Sequence, residues 1–225
     1  MVDLSVIIAH YNCDRYLMEA VNSVKSALTS ASSVTAELIV VDDGSTADSW
    51  HSALRSNVYA PHIESLWVRH PENRGQGFCL NYGVQIARGN VIMFLDADDL
   101  WIARKVRLQL DALERQSVMV VGHAVNFREY LEEPQKPMPA RVVGALAITS
   151  AAFRLVGAFR EDLGAGMTIE WFDRADRAGL EPRVLDEVVL LRRIHGQNYG
   201  IVHRERSKSE YARALALISD RRKGC

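Results

Sequence analysis

Three runs in this chain are apolar almost from end to end: Leu4–Ala9 (LSVIIA), Leu38–Val41 (LIVV) and Val91–Leu95 (VIMFL). Such short, largely β-branched runs read as strands with no polar face, and a strand of that kind must be covered on both sides. Ser65–Val68 supplies a further strand. Between the strands the apolar spacing turns helical. Leu17, Ala20, Val21, Val24 and Leu28 line one face of 14–28, and Phe78, Leu80, Val84 and Ile86 line one face of 76–87, which Gly89 closes. A short helix carrying Trp50 and Leu54 and a long one over 101–115 complete the alternation. Strand and helix in turn, with buried strands, predict a parallel sheet between two helical layers. Such sheets bind ligands beyond the carboxyl ends of their strands. All three apolar runs end in a polar cluster: His10-Tyr11-Asn12, Asp42-Asp43-Gly44-Ser45, and Asp96-Ala97-Asp98-Asp99.

The second half is less regular. A strand is expected over 118–125, a polar, proline-rich loop over 131–139, mixed structure over 144–160, and a helix over 169–178 ended by Gly179. A strand over 184–191 and a basic helical tail over 204–223 follow. With 225 residues, 48% hydrophobic, the chain is sized for a single large domain. A net charge of −1 carries no footprint for nucleic acid. The three cysteines, Cys13, Cys79 and Cys225, form neither a CxxC pair nor a disulfide framework. No basic leader precedes the first apolar run, and no run approaches the roughly 18 apolar residues that span a bilayer. These features predict a soluble, cytoplasmic protein.

The acids after Leu95 carry the chemistry. In extended backbone Asp96 and Asp98 point to one side with small Ala97 between them. Two converging carboxylates suit a hard divalent cation, which keeps positions open for phosphate oxygens. Asp99 also suits the cap of the helix that follows. Asp42 and Asp43 fit either turn chemistry or a carboxylate accepting the ring N–H of a base. Asn73-Arg74-Gly75 precedes a helix N-terminus, a setting for an anion. His195, in Arg192-Arg193-Ile194-His195, fits a metal ligand, a phosphate contact or a structural histidine.

In their order, VIIAHYN, VVDDGST and NRGQGFCLNYGVQIARGNVIMFLDADD resemble the N-terminal half of family-2 glycosyltransferases. The resemblance is strong over 4–115 and looser through AAFRLVGAFREDLGAG at 151–166. It implies the GT-A fold: an α/β, mostly parallel sheet with helices on both faces, a smaller mixed acceptor-side region and a C-terminal helix. The implied division is a nucleotide-sugar-binding half over 1–116, an acceptor-side half of the same domain over 117–203, and the basic helix over 204–225. Asp96-Ala97-Asp98 then matches the family's DxD motif. By that match Asp98 holds Mg²⁺ or Mn²⁺ on the donor diphosphate, and Asp96 approaches the ribose or the metal. Asp42 or Asp43 matches the base-contacting acid, Arg74 the residue beside base and phosphate, and His195 a late histidine directed at the metal or diphosphate. Ala9, Tyr11, Asn12 and Ala97 fall among the nucleotide-binding positions. The implied reaction moves one hexosyl or N-acetylhexosaminyl unit, with inversion, from a nucleotide diphosphate sugar, UDP-sugar foremost. The acceptor stays open among saccharide, lipid-linked, peptide and small-molecule classes.

Three departures stand out. Met167-Thr168 occupies the place of the family's Glu-Asp pair, so Glu170 ranks first and Asp173 second as general base. Ala9-His10 replaces a Thr-Pro type pair. The multipass helices and Gln-x-x-Arg-Trp motif of processive synthases are absent, which predicts one sugar per encounter. Trp101 and Trp171 are candidates to flank the sugar, while Trp50 and Trp67 read as packing. In the tail, Tyr211, Leu215 and Ile218 share one helical face among arginines, suited to an anionic membrane surface, a partner, or the chain's own domain. Two other activities compete: a nucleotide-sugar binder without transfer, and a nucleotidyltransferase. The latter wants a Gly-rich basic loop where this chain has His10-Tyr11-Asn12-Cys13-Asp14. A dinucleotide-dependent oxidoreductase is disfavoured because no GxGxxG follows the first strand.

Overall fold

A computed structural model describes residues 2–46, 63–114, 117–128 and 135–223. The helix expected around Trp50 and Leu54, Cys225, and part of the 131–139 loop lie outside the described residues.

Strands β1 (Leu4–His10), β2 (Ala36–Asp42), β3 (Ile63–Arg69) and β4 (Val91–Asp96) run parallel in the order β3-β2-β1-β4. Leu4 lies level with Ala36 on one side and Val91 on the other. Alternate residues of each strand enter separate cores, as a strand without a polar face requires. Leu4, Val6, Ile8, Leu38 and Val40 pack with Leu17, Val21 and Val24 of α1 (Asp14–Thr29). Ile7, Ile39, Val41 and Phe94 pack with Cys79 and Leu80 of α2 (Gln76–Ile86) on the opposite face. Each such aliphatic side chain, fully buried, contributes about 1.5–3 kcal/mol.

The remaining elements extend and curl the sheet. In chain order they are β5 (Leu100–Trp101), α3 (Lys105–Glu114), β6 (Met119–Phe127), β7 (Met138–Pro139), a 3₁₀ turn (Val143–Ala145) and β8 (Ala147–Thr149). Then come α4 (Ser150–Val156), α5 (Met167–Arg177), β9 (Arg183–Arg193), α6 (Tyr199–Val202) and α7 (Arg204–Lys223). Short β8 runs antiparallel between β4 and β6, β9 lies parallel to β6, and β5 closes the far edge antiparallel to β9, while β7 hangs on β6. So the chain leaves the middle of the sheet at Asp96 and rejoins its far edge at Leu100. The acid cluster spans that gap, which brings the end of β9 beside it.

Two aromatic expectations are corrected here. The helix expected from Trp101 starts at Lys105; Trp101 instead pairs with Leu190 in β5, and its indole N–H donates to the Gly144 carbonyl at 3.2 Å. Trp171 is fully buried, donates to the Gly157 carbonyl at 2.8 Å and stacks on Phe153. Both indoles are core rings with satisfied N–H groups, so neither flanks an open site. Trp67, on β3, packs partly buried against the core. Helix α7 docks on its own fold through buried Ser207, Glu210 and Ala214, with Leu217 against the core, while Tyr211 and Leu215 stay exposed. Among the described residues no helix is long and apolar enough to cross a membrane.

Candidate active site

The site assembles where β1, β2, β4 and β9 end. After β1, Asn12 takes a positive φ of 46°, a conformation asparagine tolerates better than most residues. From there its backbone N–H donates to Ser45 Oγ at 2.8 Å, and its Oδ1 accepts the Thr46 N–H at 2.9 Å. The loops after β1 and β2 are thereby laced together. Asp42, fully buried on the α1 side of the sheet, accepts the Ser45 hydroxyl and meets Arg69 Nε at 3.3 Å. Neighbouring His10, also buried, contacts Asp14 at 3.1 Å, and burial pulls its pKa below the usual histidine value.

Asp43 points to the α2 side. Its two oxygens accept the backbone N–H groups of Arg74 and Gly75, each at 2.8 Å. That leaves the Arg74 guanidinium stacked 3.7 Å over the Phe78 ring. Gly44 makes this joint possible: it sits at φ +74°, and a Cβ there would lie 2.7 Å from the Glu72 carbonyl carbon. Gly44→Ala is expected to push the 72–75 loop off Asp43 and cost roughly 1–3 kcal/mol of stability. Urea unfolding checks the loss of stability.

At the end of β4, Asp96 Oδ1 accepts the Gln76 side-chain N–H at 2.6 Å. Burial, and then the neighbouring Asp98 charge, push its pKa up to about 6. Asp98 Oδ2 accepts from Asn198 Nδ2 at 3.0 Å and lies 3.0 Å from His195 Nε2. His195 Nδ1 accepts the Gln197 backbone N–H at 3.2 Å, which leaves the ring proton on Nε2, directed at Asp98. Asp99 does not cap a helix. It is buried and accepts the Arg193 N–H at 2.8 Å, while burial, then Asp96 and Asp98, hold its pKa well above the carboxylate range. Arg193 completes the clamp: Nε donates to the Asp98 carbonyl at 2.9 Å, Nη2 to Glu19 at 2.6 Å, and the guanidinium lies over Tyr16. Cys13 faces the same negative field, and burial followed by Asp98, Asp14 and Asp96 pushes its thiol up to about 12.

The structure thus brings Asp96, Asp98 and His195 to one place, with Asp43 and Arg74 on the loops beside it and Ala9, Tyr11, Asn12 and Ala97 on the strand ends. Gln76, Asn198, Arg192 and Arg193 were not picked out from the sequence. Arg192 is exposed and its charge acts favourably on Asp96 and Asp99. The one available signal was the Arg-Arg pair just ahead of His195. Among the described residues no group of three His, Cys, Asp or Glu side chains stands assembled as a metal site. The donor chemistry still fits a hard divalent cation. The Asp98 charge raises the proton affinity of Asp96, His195 Nε2 lies 3.0 Å from Asp98, and diphosphate oxygens would have to complete the coordination.

On α5, Glu170 is fully buried. It takes Arg174 Nε at 3.2 Å and a short contact from Arg221 of α7, and Arg174 also donates to the Val156 and Ala158 carbonyls. Asp173 meets Arg177 at 3.2 Å and Arg221 at 3.5 Å. Both candidate bases therefore belong to a charge cluster between α5 and α7, and Glu170 has no exposed oxygen for an acceptor. The family's Glu-Asp place holds buried Met167 and half-buried Thr168. The carboxylate that does reach the loop ahead of α5 is Glu210, which accepts the Ala165 N–H at 2.8 Å and the Tyr199 hydroxyl at 3.1 Å.

Residues 5–161 match the model of Glycosyl transferase family 2. The chain belongs to that family. A relative from Nostoc, an uncharacterized glycosyltransferase, is 37% identical over 124 residues, 55% of this chain and 37% of its own. A second, the UDP-Glc:alpha-D-GlcNAc-diphosphoundecaprenol beta-1,3-glucosyltransferase WfaP of Escherichia coli, is 32% identical over 115 residues, 51% of this chain and 43% of its own. The chain spans under half the length of both. Among solved structures, Staphylococcus aureus TarS 1-349 in complex with UDP-GlcNAc superposes with a TM-score of 0.77 over 96% of this chain and 65% of that one, at 18% identity. The GT-A fold of the family is therefore the fold of this chain.

Proposed function

We infer that this family-2 chain carries out metal-dependent, inverting transfer of one sugar from a UDP-sugar to an acceptor hydroxyl. The observation that carries the reading is Asp98, beside Asp96, held by His195 and Asn198 at the strand ends where a donor diphosphate would lie. The uridine preference is supported by the printed ligands of relatives, UDP-Glc for WfaP and UDP-GlcNAc for TarS.

Asp98, Asp96 and His195 are the residues that would hold Mn²⁺ or Mg²⁺, which when bound supplies Lewis-acid stabilisation of the departing diphosphate. The protein's own groups do the rest. Asp43 sets the Arg74 loop against the base and phosphate, Arg192 adds positive charge beside the leaving group, and Arg193 fixes the backbone that presents Asp98. The acceptor oxygen attacks the anomeric carbon from the face opposite the diphosphate, its proton passing to solvent water, while the bond from that carbon to the diphosphate oxygen breaks and the centre inverts.

A thermal-shift series with UDP, UDP-GlcNAc, UDP-glucose and GDP, each with and without Mn²⁺, tests the reading. A ligand at about 100 times its Kd adds about 2.7 kcal/mol, a shift of roughly 5–10 °C in a domain of this size. The uridine ligands are expected to give that shift only with Mn²⁺. Equal responses to all nucleotides, or none, would remove the proposal. One observation favours a second reading, a nucleotide-sugar binder without transfer: the acceptor-side acids are locked in ion pairs. A uridine-specific shift with no product across saccharide and lipid-linked acceptors would establish it.

A further inference from the structure

Each acid of the candidate donor site is held by one carboxamide. Asn198 Nδ2 donates to Asp98 Oδ2 at 3.0 Å, and Gln76 Nε2 donates to Asp96 Oδ1 at 2.6 Å. Among the described residues the Gln76 amide is the only hydrogen-bond donor on the Asp96 carboxylate, and Asp96 Oδ2 and Asp98 Oδ1 take no partner. Gln76 reaches Asp96 from a fixed base. It is the first residue of α2 and stands between two glycines that tie the helix start to other segments. On one side the Gly75 N–H donates to Asp43 Oδ2 at 2.8 Å, with Gly75 itself at φ +94°. On the other, Gly77 packs so closely on the 157–166 loop that a Cβ there would lie 2.9 Å from the Arg160 carbonyl oxygen. Although Gln76 is exposed, its backbone therefore has a set place from which the amide spans to Asp96.

We propose that Gln76 is a positioning residue of the donor site: its amide holds Asp96 Oδ1 so that Oδ2 stays open to the divalent cation, a role that rests on the donor reading proposed for this site. The need for it comes from charge. Asp96 and Asp98 repel each other, and an unheld carboxylate at a strand end relieves that repulsion by turning toward water. A neutral amide N–H steadies one oxygen of the pair. It brings no full positive charge, which a lysine or arginine in its place would set against the cation. Outer partners of this kind orient carboxylate ligands, and losing one costs about 10–100-fold in metal affinity. The same glutamine also joins the two sides of the site, linking the 72–75 loop that Asp43 holds to the acids after β4.

Uptake of Mn²⁺ in the presence of UDP, read by electron paramagnetic resonance as loss of the free Mn²⁺ signal, tests this without any turnover. Gln76→Met keeps the length of the side chain and removes the donor. It is expected to weaken Mn²⁺ binding by about tenfold or more, with Tm unchanged because the residue is exposed. Gln76→Asn keeps the amide but is one methylene too short to reach Asp96, so it should fail as Gln76→Met does. In an Asp96→Ala background, itself weakened, Gln76→Met should add less than about twofold, since the glutamine acts through Asp96. A merely structural role would cost the same in both backgrounds. Mn²⁺ uptake that Gln76→Met leaves unchanged, or an equal further loss on Asp96→Ala, would overturn the proposal and leave the donor reading in place. No UDP-dependent uptake by the unaltered chain would instead remove the donor reading, and this role of Gln76 with it.

Discussion

Asp98→Asn is expected to cut sugar transfer by about 10²–10³-fold while the protein stays folded. Asparagine keeps the shape and an oxygen that can still accept the His195 and Asn198 contacts, both 3.0 Å in the structure. What it removes is the negative charge. The packing around Asp98 is also secured from behind, by Arg193 on its carbonyl and by the buried Asp99, so the backbone has no reason to move. Asp96 should respond as well: with its like-charged neighbour gone, its pKa falls back toward the ordinary carboxylate value. Steady-state turnover with a UDP-sugar, alongside a melting curve, is the measurement. Transfer within about tenfold of the unaltered chain would show that this carboxylate does not carry the chemistry.

Glu170→Ala should act in the opposite register, on the fold before the chemistry. The side chain is fully buried and holds Arg174 and Arg221, the latter reaching in from α7. Truncation leaves the Arg174 guanidinium facing a hole with no counter-charge and Arg221 with Asp173 alone, and removing one partner of a buried pair costs about 3–5 kcal/mol. For a chain of this size that corresponds to a drop in Tm of roughly 6–20 °C. Arg221→Ala should cost less, since Arg174 still pairs with Glu170. A double-mutant cycle between Glu170 and Arg221 isolates their coupling. A stable Glu170→Ala protein with selectively lost transfer would return Glu170 to the general-base role.

What could be read from residues alone follows a physical divide. Apolar runs without a polar face reported strands buried on both sides, because burial leaves its mark on composition locally. That was enough to place His10-Tyr11-Asn12, Asp42-Asp43 and Asp96–Asp99 together at one edge. Partner identity leaves no such mark. Asp99 read as a helix cap because its neighbours look like a helix start, whereas its partner is the Arg193 N–H, 94 positions away. Trp101 fitted the helical period of the next element, yet a two-residue strand intervenes and pairs it with Leu190. Glu170 ranked first as a base for being the nearest acid to a missing motif. The arginine that most changes its role lies 51 positions on, in a helix whose docking face could not be known. The tail was read with Tyr211, Leu215 and Ile218 as one face, and the structure separates the side that docks from the side left open.

The acid segment that bridges the gap from the middle of the sheet to its far edge has a consequence for synthesis. Its anchors, Arg193, His195 and Asn198, emerge from the ribosome some 94 to 100 residues after Asp98 and Asp99 themselves. Until then the nascent chain carries clustered carboxylates with no counterpart, next to a half-built sheet. Closure is thus a high-contact-order event near the end of folding, and catalytic competence should arrive with it rather than grow in step with chain length.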